Sequence, residues 1–324
     1  AVAYLPAECR RPYRMAHGCL PTGNRGLAKH VRLRYNLSMQ PKTVILYHGN
    51  CPDGFGGAYS AWKKFGDSAD YIAVQHQVPP PEGLTGAKLY LIDFCYPREY
   101  MNELAKNAES LTVLDHHEGV EDVVEAQPEY VYDAKRSGAT IAWSYFHPDE
   151  QVPEMLRIIM KGDLYQMFTD EERAIASYVY AQPYDFHGWD RLRAEIGDAD
   201  GKAAIVAKGR AYTEHFQMLT NQIAERADLV EFEGHRVYLV SAPRMFATEL
   251  GTKLRARGAE FVLITRNDEN GDMRVSMRAG DNHSVNLAEI AQKYGGNGHP
   301  GSAAFSLPWG SPLPWKLINE DSRD

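Results

Sequence analysis

Three short apolar runs in the first half of the chain each end in acidic or imidazole side chains, and this pattern limits the fold more than any other feature. The runs and the polar residues that follow are residues 43–47 with His48, residues 88–92 with Asp93, and residues 110–114 with Asp115, His116 and His117. Such runs are typical of strands buried on both faces of a parallel sheet. Ligands bind at the carboxyl ends of these strands in open α/β sheets. We therefore expect one shared pocket there.

Helical patterns separate the apolar runs. A Gly- and Pro-rich turn that contains Asp53 leads to a helical pattern over residues 58–65, and a second helix is predicted over residues 98–108. Residues 71–74 and residues 130–132 are predicted to be further short strands. Strands that alternate with helices at this spacing predict an α/β fold with a doubly wound parallel sheet.

The second half of the chain begins with helical patterns and ends with a smaller α/β unit. Asp163 lies just beyond an amphipathic pattern over residues 153–161, and a long pattern over residues 202–229 predicts a connecting helix. The elements predicted beyond it are strands at residues 236–241, 261–265 and 273–278 and helices at residues 248–257 and 285–294. A helical linker and a second, smaller α/β domain follow from this pattern.

The chain of 324 residues should hold about two domains. We expect a basic N-terminal extension at residues 1–38, a first domain at 39–200, a helical linker at 201–230, a second domain at 231–308 and a tail at 309–324. For the extension we favour the interpretation that Met39 is the natural start, with an Arg-rich targeting peptide as the alternative. We expect the tail to be poorly ordered or to pack on the surface.

Charge and cysteine usage exclude some classes of protein. A formal net charge of −8 argues against stable binding of duplex DNA, although a divalent metal could still attract a small phosphorylated ligand. No apolar run approaches the roughly 18 residues that span a bilayer, so we expect a cytoplasmic protein without membrane association. The cysteines lack CxxC spacing, which favours a reducing compartment. We expect Cys51 and Cys95 to be buried structural thiols, although both lie near the proposed site.

The polar residues at the strand and helix ends suit a metal site. Carboxylates crowded at one sheet edge would repel one another unless divalent cations neutralised them. Mixed carboxylate and imidazole ligands suit Mn²⁺, Fe²⁺ or Zn²⁺, whereas Mg²⁺ prefers more oxygen. Each residue alone has an ordinary explanation as a turn or cap residue. Their joint occurrence predicts a site for one or two metal ions.

These residues resemble, in their order along the chain, the motifs of the DHH phosphoesterase superfamily. The matching motifs are His48 with Asp53-Gly54, Asp93, Asp115-His116-His117 and Gly162-Asp163. Residues 274–278 and 295–305 resemble the signature of the DHH-associated C-terminal domain. The resemblance covers roughly residues 43–307. It implies that the first domain is a DHH metal-binding catalytic domain with Mn²⁺ as cofactor, and that the second binds substrate.

The resemblance also implies a role for each matching residue. His117 matches a residue that contacts the substrate phosphate, and Asp115 matches an acid that orients His116 by a hydrogen bond. The full set is His48 and Asp53 on a first metal, Asp93 shared between metals, His116 and Asp163 on a second metal, Asp115 and His117 as catalytic residues, and Arg278, Gly296, Gly298 and His299 as substrate-binding residues.

One position departs from the family pattern. Many members have a second Asp two residues after the first motif Asp, and here that position is Phe55. The second metal therefore lacks an expected ligand, which water, Asn50 or Asp115 could replace, and we expect binuclear occupancy to depend on metal concentration. Phe55 itself is expected to be a core aromatic, with a platform for a stacked base as the alternative.

The resemblance implies hydrolysis of short RNA or of linear dinucleotides such as pGpG to mononucleotides. The acidic net charge agrees with small substrates, and homodimerisation stays open. A phosphatase of polyphosphate or of a nucleoside 3′,5′-bisphosphate is the alternative enzyme. A catalytically weak module that binds nucleic acid or protein is the alternative of another class.

Overall fold

The structure, a computed structural model, describes residues 42–318 except residues 76–77, 165, 269–270 and 281–283. The basic extension at residues 1–38 with Cys9 and Cys19 and the end of the tail at residues 319–324 lie outside the described residues. Expectations about those segments stay predictions, as do the domain boundaries. None of the described helices is both long enough and apolar enough to cross a membrane.

The first sheet has five parallel strands in the order β2-β1-β3-β4-β5. These strands are β1 (Thr43–His48), β2 (Ala69–Val74), β3 (Lys88–Ile92), β4 (Ser110–Asp115) and β5 (Glu129–Tyr132). The prediction of a doubly wound parallel sheet is confirmed. Because the strand order reverses between β1 and β3, the segments that follow these two strands diverge and leave a crevice at their carboxyl ends.

Helices cover both faces of this sheet. Helices α2 (Arg98–Asn107) and α3 (Glu121–Val124) pack on one face, and α1 (Pro52–Phe65) and α4 (Gly138–Phe146) pack on the other. The helices that follow share a further core with α1 and α4, and they are α5 (Glu154–Asp163), α6 (Asp170–Tyr180), α7 (Phe186–Gly197) and α8 (Ala199–Ala224). Leu46 of β1 packs in the same core as Met101 of α2, whereas its neighbour Ile45 packs with Ala61 of α1 and Ile141 of α4. Burial on both faces explains why these strands are continuously apolar.

Two helix boundaries differ from the sequence prediction in a way that matters for the site. Helix α1 begins at Pro52 rather than at residue 58, because proline presets the backbone angle of a first helical turn. Asp53 therefore lies in the first turn of α1 rather than in a loop. Likewise, α5 extends to Asp163, so this carboxylate is fixed by the last turn of a helix.

The second sheet is mixed and has the order β10-β11-β9-β8-β7-β6-β12, with only β7 and β8 parallel. Its strands are β6 (Asp228–Phe232), β7 (His235–Ser241), β8 (Phe261–Asn267), β9 (Met273–Ala279), β10 (Asn297–His299), β11 (Ser302–Leu307) and β12 (Trp315–Leu317), and its helices are α9 (Ala247–Arg255) and α10 (Leu287–Lys293). This second unit confirms the predicted smaller α/β domain.

Four strands of the second sheet, β6, β10, β11 and β12, are not predicted by the sequence pattern. Strand β6 occupies part of the predicted linker helix, because α8 ends at Ala224 and the chain then pairs with β7. Strand β12 lies in the tail, where Trp315 pairs with Phe232 of β6. The described part of the tail therefore adds a strand to the sheet edge.

Candidate metal centre

The seven acidic and imidazole residues predicted for the first domain meet at the carboxyl edge of the parallel sheet. His48 ends β1, Asp93 follows β3, and Asp115 ends β4. Because β3 lies between β1 and β4, Asp93 is the middle member of the row. The other members come from the loop after β4 and from helices α1 and α5, and they are His116, His117, Asp53 and Asp163.

Asp93 lies between two imidazoles. Its Oδ1 is 3.1 Å from Nε2 of His116, and its Oδ2 is 3.4 Å from Nδ1 of His48. Burial by itself raises the pKa of Asp93, but the polar contacts with His116 and His48 and the charge of His117 outweigh burial and hold this pKa well below its usual range. Asp93 is 1% exposed, so these polar contacts are shielded from solvent.

The backbone around Asp93 leaves no room for an additional side chain. Asp93 itself has a φ of 56°, in the left-handed region that Asp tolerates better than most residues. Gly138 at the start of α4 faces it, and a Cβ on Gly138 would lie 2.5 Å from Cβ of Asp93 and 3.0 Å from Oδ2 of Asp53. Glycine is thus required at position 138 for both carboxylates to keep their places.

His116 lies close to three carboxylates. Besides Asp93, its Nε2 is 3.4 Å from Oδ2 of Asp163 and 3.9 Å from Oδ2 of Asp53. Asp53 is anchored by the Ala139 amide, which donates to its Oδ1 at 3.1 Å, whereas its buried Oδ2 has no hydrogen-bond partner among the described residues. Burial and the charges of Asp93 and Asp163 raise the pKa of Asp53 well above its usual range.

Asp163 is subject to the same repulsion as Asp53. Burial and the charge of Asp93 raise its pKa, although His116 opposes the rise. Ligand atoms of Asp53, His116 and Asp163 all lie within 4.8 Å of one another, a distance that one cation could bridge. A divalent ion at this position would relieve the repulsion between the carboxylates.

A second set of ligand atoms lies on the β1 side of Asp93. Atoms of His48, Cys51 and Asp93 fall within 4.8 Å of one another. This grouping differs from the one that the resemblance implies, because Asp53 faces His116 and Asp163 rather than His48. The start of α1 at Pro52 explains the difference, since Asp53 turns toward α4 while Cys51 precedes the helix. Burial and the charge of Asp93 raise the pKa of the Cys51 thiol to about 12.

Asp115 contacts the ring of His117 rather than that of His116. Its Oδ1 lies 2.7 Å from Nδ1 of His117, and it also accepts from the His116 and His117 amides at 2.7 and 3.3 Å. The tight turn after β4 brings these three groups to one oxygen. Burial by itself lowers the pKa of His117, but the hydrogen bond and charge of Asp115 outweigh burial and raise this pKa to about 9.

Phe55 is a core residue. It is 2% exposed, and its ring centroid lies 4.9 Å from that of Phe186 in a stacked arrangement and 4.8 Å from that of Trp189. The ring is therefore enclosed by other aromatic side chains of the first domain. A base-stacking platform at this position is excluded by that burial.

The residues predicted to bind substrate lie in the second sheet, except for Gly296, which directly precedes β10. Ser302 of β11 pairs with Arg278 on one side and with His299 on the other, which places both on one face about 10 Å apart. The two glycines allow β10 to approach β11, because a Cβ at Gly296 would lie 2.3 Å from the Ala304 carbonyl oxygen and one at Gly298 would lie 2.4 Å from Ala303 Cα.

Sequence reasoning missed a pair of arginines near these residues. Arg266 of β8 pairs directly with Arg274 of β9, so the two like charges share one sheet face, an arrangement that costs stability. Burial and the charges of Arg274 and Arg244 lower the pKa of Arg266, and Asp268 only partly opposes them. The pairing depends on the β8–β9 register, which brings together one residue on each side of the hairpin turn.

Comparisons with known proteins support the fold. No family model matches the chain. An uncharacterized protein of Acanthamoeba polyphaga mimivirus is 25% identical over 320 residues, covering 88% of this chain and 74% of that protein. The DHH domain of a protein described as a member of a family of ribosomal proteins has a TM-score of 0.58 at 12% identity, covering 86% of this chain and 83% of that one.

A further solved structure, a pGpG-specific phosphodiesterase from Vibrio cholerae, has a TM-score of 0.46 at 16% identity and covers 83% of this chain and 94% of that one. The likeness to the DHH domain with the higher score shows the fold. This chain therefore shares the fold of that DHH domain.

Proposed function

We propose that this chain, which has the DHH-domain fold, is a metal-dependent phosphodiesterase that hydrolyses short oligoribonucleotides or linear dinucleotides to mononucleotides. The observation that carries the proposal is the position of Asp93, a buried carboxylate with a His48 nitrogen 3.4 Å from one oxygen and a His116 nitrogen 3.1 Å from the other. A carboxylate that faces two sets of ligands suits a two-metal site for attack on phosphorus.

The donor atoms of this cluster fit divalent metal ions. Oδ2 atoms of three buried aspartates, Asp53, Asp93 and Asp115, have no hydrogen-bond partner among the described residues, and such orphaned atoms are costly unless a cation satisfies them. Asp93 would contribute to both ion sites, one formed with His48 and the other with Asp53, His116 and Asp163. Bound Mn²⁺, Mg²⁺, Fe²⁺ or Zn²⁺ would polarise the phosphoryl group and lower the pKa of water.

His117 would bind the scissile phosphate. Asp115 fixes the ring through Nδ1 and favours the charged imidazolium, and the side chain stays 42% exposed beside the buried cluster. An imidazolium held in this way donates to a phosphate oxygen and stabilises the negative charge that develops during hydrolysis. The role of Asp115 is therefore to position His117.

The arginines of the second sheet supply the binding energy for a nucleotide end. Arg266 and Arg274 face the same side of the sheet as Arg278, and an anionic phosphate would relieve their mutual repulsion. The pKa of Tyr184 in the first domain is raised to about 12 by burial, and the charge of Arg244 opposes this rise. The charge of Arg244 also contributes to lowering the pKa of Arg266, so Arg244 interacts electrostatically with a residue of each domain.

Such an arrangement favours short substrates. If the arginines hold one end of the nucleotide chain while the metal centre cleaves at a fixed distance, only a short oligonucleotide reaches between both sites. The net charge of −8 disfavours binding of long polyanions that extend beyond the arginines and the metal centre.

A substrate panel tests the proposal. The protein is incubated with Mn²⁺ and a 5′-phosphorylated dinucleotide, a longer RNA, a nucleoside 3′,5′-bisphosphate or polyphosphate, and products are separated by chromatography. We expect mononucleotides from the dinucleotide and little product from the longer RNA. Orthophosphate release from the bisphosphate or polyphosphate alone would instead indicate a phosphatase, and hydrolysis of none would indicate a binding module.

A further inference from the structure

The set of ligand atoms on the β1 side of the cluster contains a thiol. Sγ of Cys51 and ligand atoms of His48 and Asp93 all lie within 4.8 Å of one another. Cys51 is the N-cap residue of α1, with extended backbone angles, but its side chain makes no capping hydrogen bond.

An independent observation indicates that a cation belongs at this position. Oδ2 of Asp93 is buried, in a residue that is 1% exposed, and has no hydrogen-bond partner among the described residues. Nδ1 of His48 lies 3.4 Å from this oxygen, too far for a strong hydrogen bond but suitable for two ligands of one ion. The ligand atoms of the carboxylate, the imidazole and the thiol are thus close enough together to bind one ion.

We propose that the thiolate of Cys51 is the third protein ligand of the first metal, beside His48 and Asp93. The inference rests on the proposed metal centre, and it explains the departure at Phe55. Asp53 already completes the set with His116 and Asp163, so no carboxylate is needed at position 55. Because Asp53 lies with His116 and Asp163, the first metal lacks the carboxylate that the resemblance assigns to it, and Cys51 supplies the missing ligand.

Binding through sulfur makes the two metal positions chemically different. On coordination the S–H bond breaks, the proton passes to solvent, and a sulfur–metal bond forms with no change in oxidation state. A thiolate with an imidazole and a carboxylate favours Zn²⁺, Fe²⁺ or Co²⁺, whereas two carboxylates with an imidazole suit Mn²⁺. We therefore expect the Cys51 position to select the softer ion.

Cobalt spectroscopy tests the inference without reference to turnover. Metal-free protein is titrated with one equivalent of Co²⁺, and the near-ultraviolet thiolate-to-cobalt charge-transfer absorption is recorded. We expect the absorption in the unmodified protein and in Cys95→Ser, and its loss in Cys51→Ser. Cys95 is the matched control, because it is buried and its thiol contacts the Tyr96 carbonyl oxygen. Absorption that persists in Cys51→Ser would overturn the inference.

A second variant guards against a folding defect. Cys51→Asp supplies a carboxylate at the same position, and we expect it to lose the absorption while its preference for Mn²⁺ over Zn²⁺ rises about tenfold or more. An unchanged preference would contradict a ligand at Cys51. Absorption without dinucleotide hydrolysis would refute only the proposed function, whereas hydrolysis without absorption in the unmodified protein would refute only the thiolate ligand.

Discussion

Oδ1 of Asp93 lies 3.1 Å from Nε2 of His116, and this contact joins the end of β3 to the turn after β4. Both partners are at least nine-tenths buried, so the contact is shielded from solvent. The same carboxylate reaches His48 with its other oxygen. The Asp93 side chain therefore connects the two sets of ligand atoms. Substitutions that displace it should weaken metal binding by both sets.

Gly138→Ala should disturb the metal centre without removing any ligand. The added Cβ would lie 2.5 Å from Cβ of Asp93, so either the carboxylate or α4 has to shift. We expect at least about a tenfold loss of Mn²⁺ affinity, comparable to losses caused by displaced supporting groups. Isothermal titration calorimetry measures this affinity. Gly197→Ala is the control, since its Cβ meets nothing within 4 Å, and equal affinities in both variants would contradict the packing described.

Metal binding should stabilise the protein strongly. Asp53 and Asp163 repel Asp93 in the metal-free cluster, and a cation at 100 times its Kd contributes about 2.7 kcal/mol. For a chain of this size we expect Mn²⁺ to raise Tm by about 4 °C, reversed by a chelator, in thermal unfolding followed by circular dichroism.

Asp53→Asn distinguishes stabilisation by Mn²⁺ bound at the cluster from stabilisation by Mn²⁺ bound elsewhere. Removal of one buried charge should leave the metal-free Tm unchanged or higher, because the carboxylate is repelled by its neighbours. The Mn²⁺-dependent shift should fall sharply. A full shift in Asp53→Asn would show that Mn²⁺ binds elsewhere.

Asp190 of α7 accepts hydrogen bonds from α1, the helix that carries Asp53. Its contribution to the free energy of unfolding should depend on pH. Tyr59 donates to Asp190 at 2.7 Å and Lys63 at 2.9 Å, and although burial by itself raises the pKa of Asp190, these bonds outweigh burial and lower this pKa. A carboxyl whose pKa is lower in the folded state than in the unfolded state stabilises the fold fully at pH values above its unfolded-state pKa. This stabilisation is lost as the pH falls through its folded-state pKa.

Urea unfolding of Asp190→Asn measures this contribution. We expect a loss of roughly 1 kcal/mol or less at neutral pH, because the carboxylate is partly exposed, and a smaller loss as pH falls below about 4. Asp149→Asn, at an exposed turn, should show neither change. A loss that grows toward acid pH would contradict the sign of the effect.

Arg274→Ala should weaken substrate binding more than turnover. The lost hydrogen bonds to a phosphate predict a rise in KM of about tenfold or more for a dinucleotide, with kcat little changed. The slope of log affinity against log salt should fall by about 0.7, the value for one phosphate contact on a single strand. Arg236→Ala removes an equal charge from an exposed position on β7 and should leave KM unchanged. Equal effects of the two variants would indicate only a general electrostatic contribution.

The strands of the first sheet and the residues of the metal cluster could be predicted because each is indicated by a short stretch of consecutive residues. The apolar run at residues 88–92 matches β3, and the polar residue at each strand end follows from the parallel sheet. The grouping of Asp53 with His116 could not be predicted, since it depends on α1 starting at Pro52 and on the Ala139 amide from a distant helix. The pairing of Arg266 with Arg274 likewise depends on strand register rather than on sequence period.

The most direct test of the central claim is hydrolysis of a 5′-phosphorylated dinucleotide by unmodified protein and by Asp93→Asn, with Mn²⁺ present and products quantified by chromatography. Asp93→Asn keeps the shape of the side chain but removes the charge between His48 and His116. We predict mononucleotide formation by the unmodified protein and a loss of at least about 100-fold in the variant, with Asp149→Asn unaffected. Equal mononucleotide formation by Asp93→Asn, or none by the unmodified protein, would contradict a metal-dependent phosphodiesterase centred on Asp93.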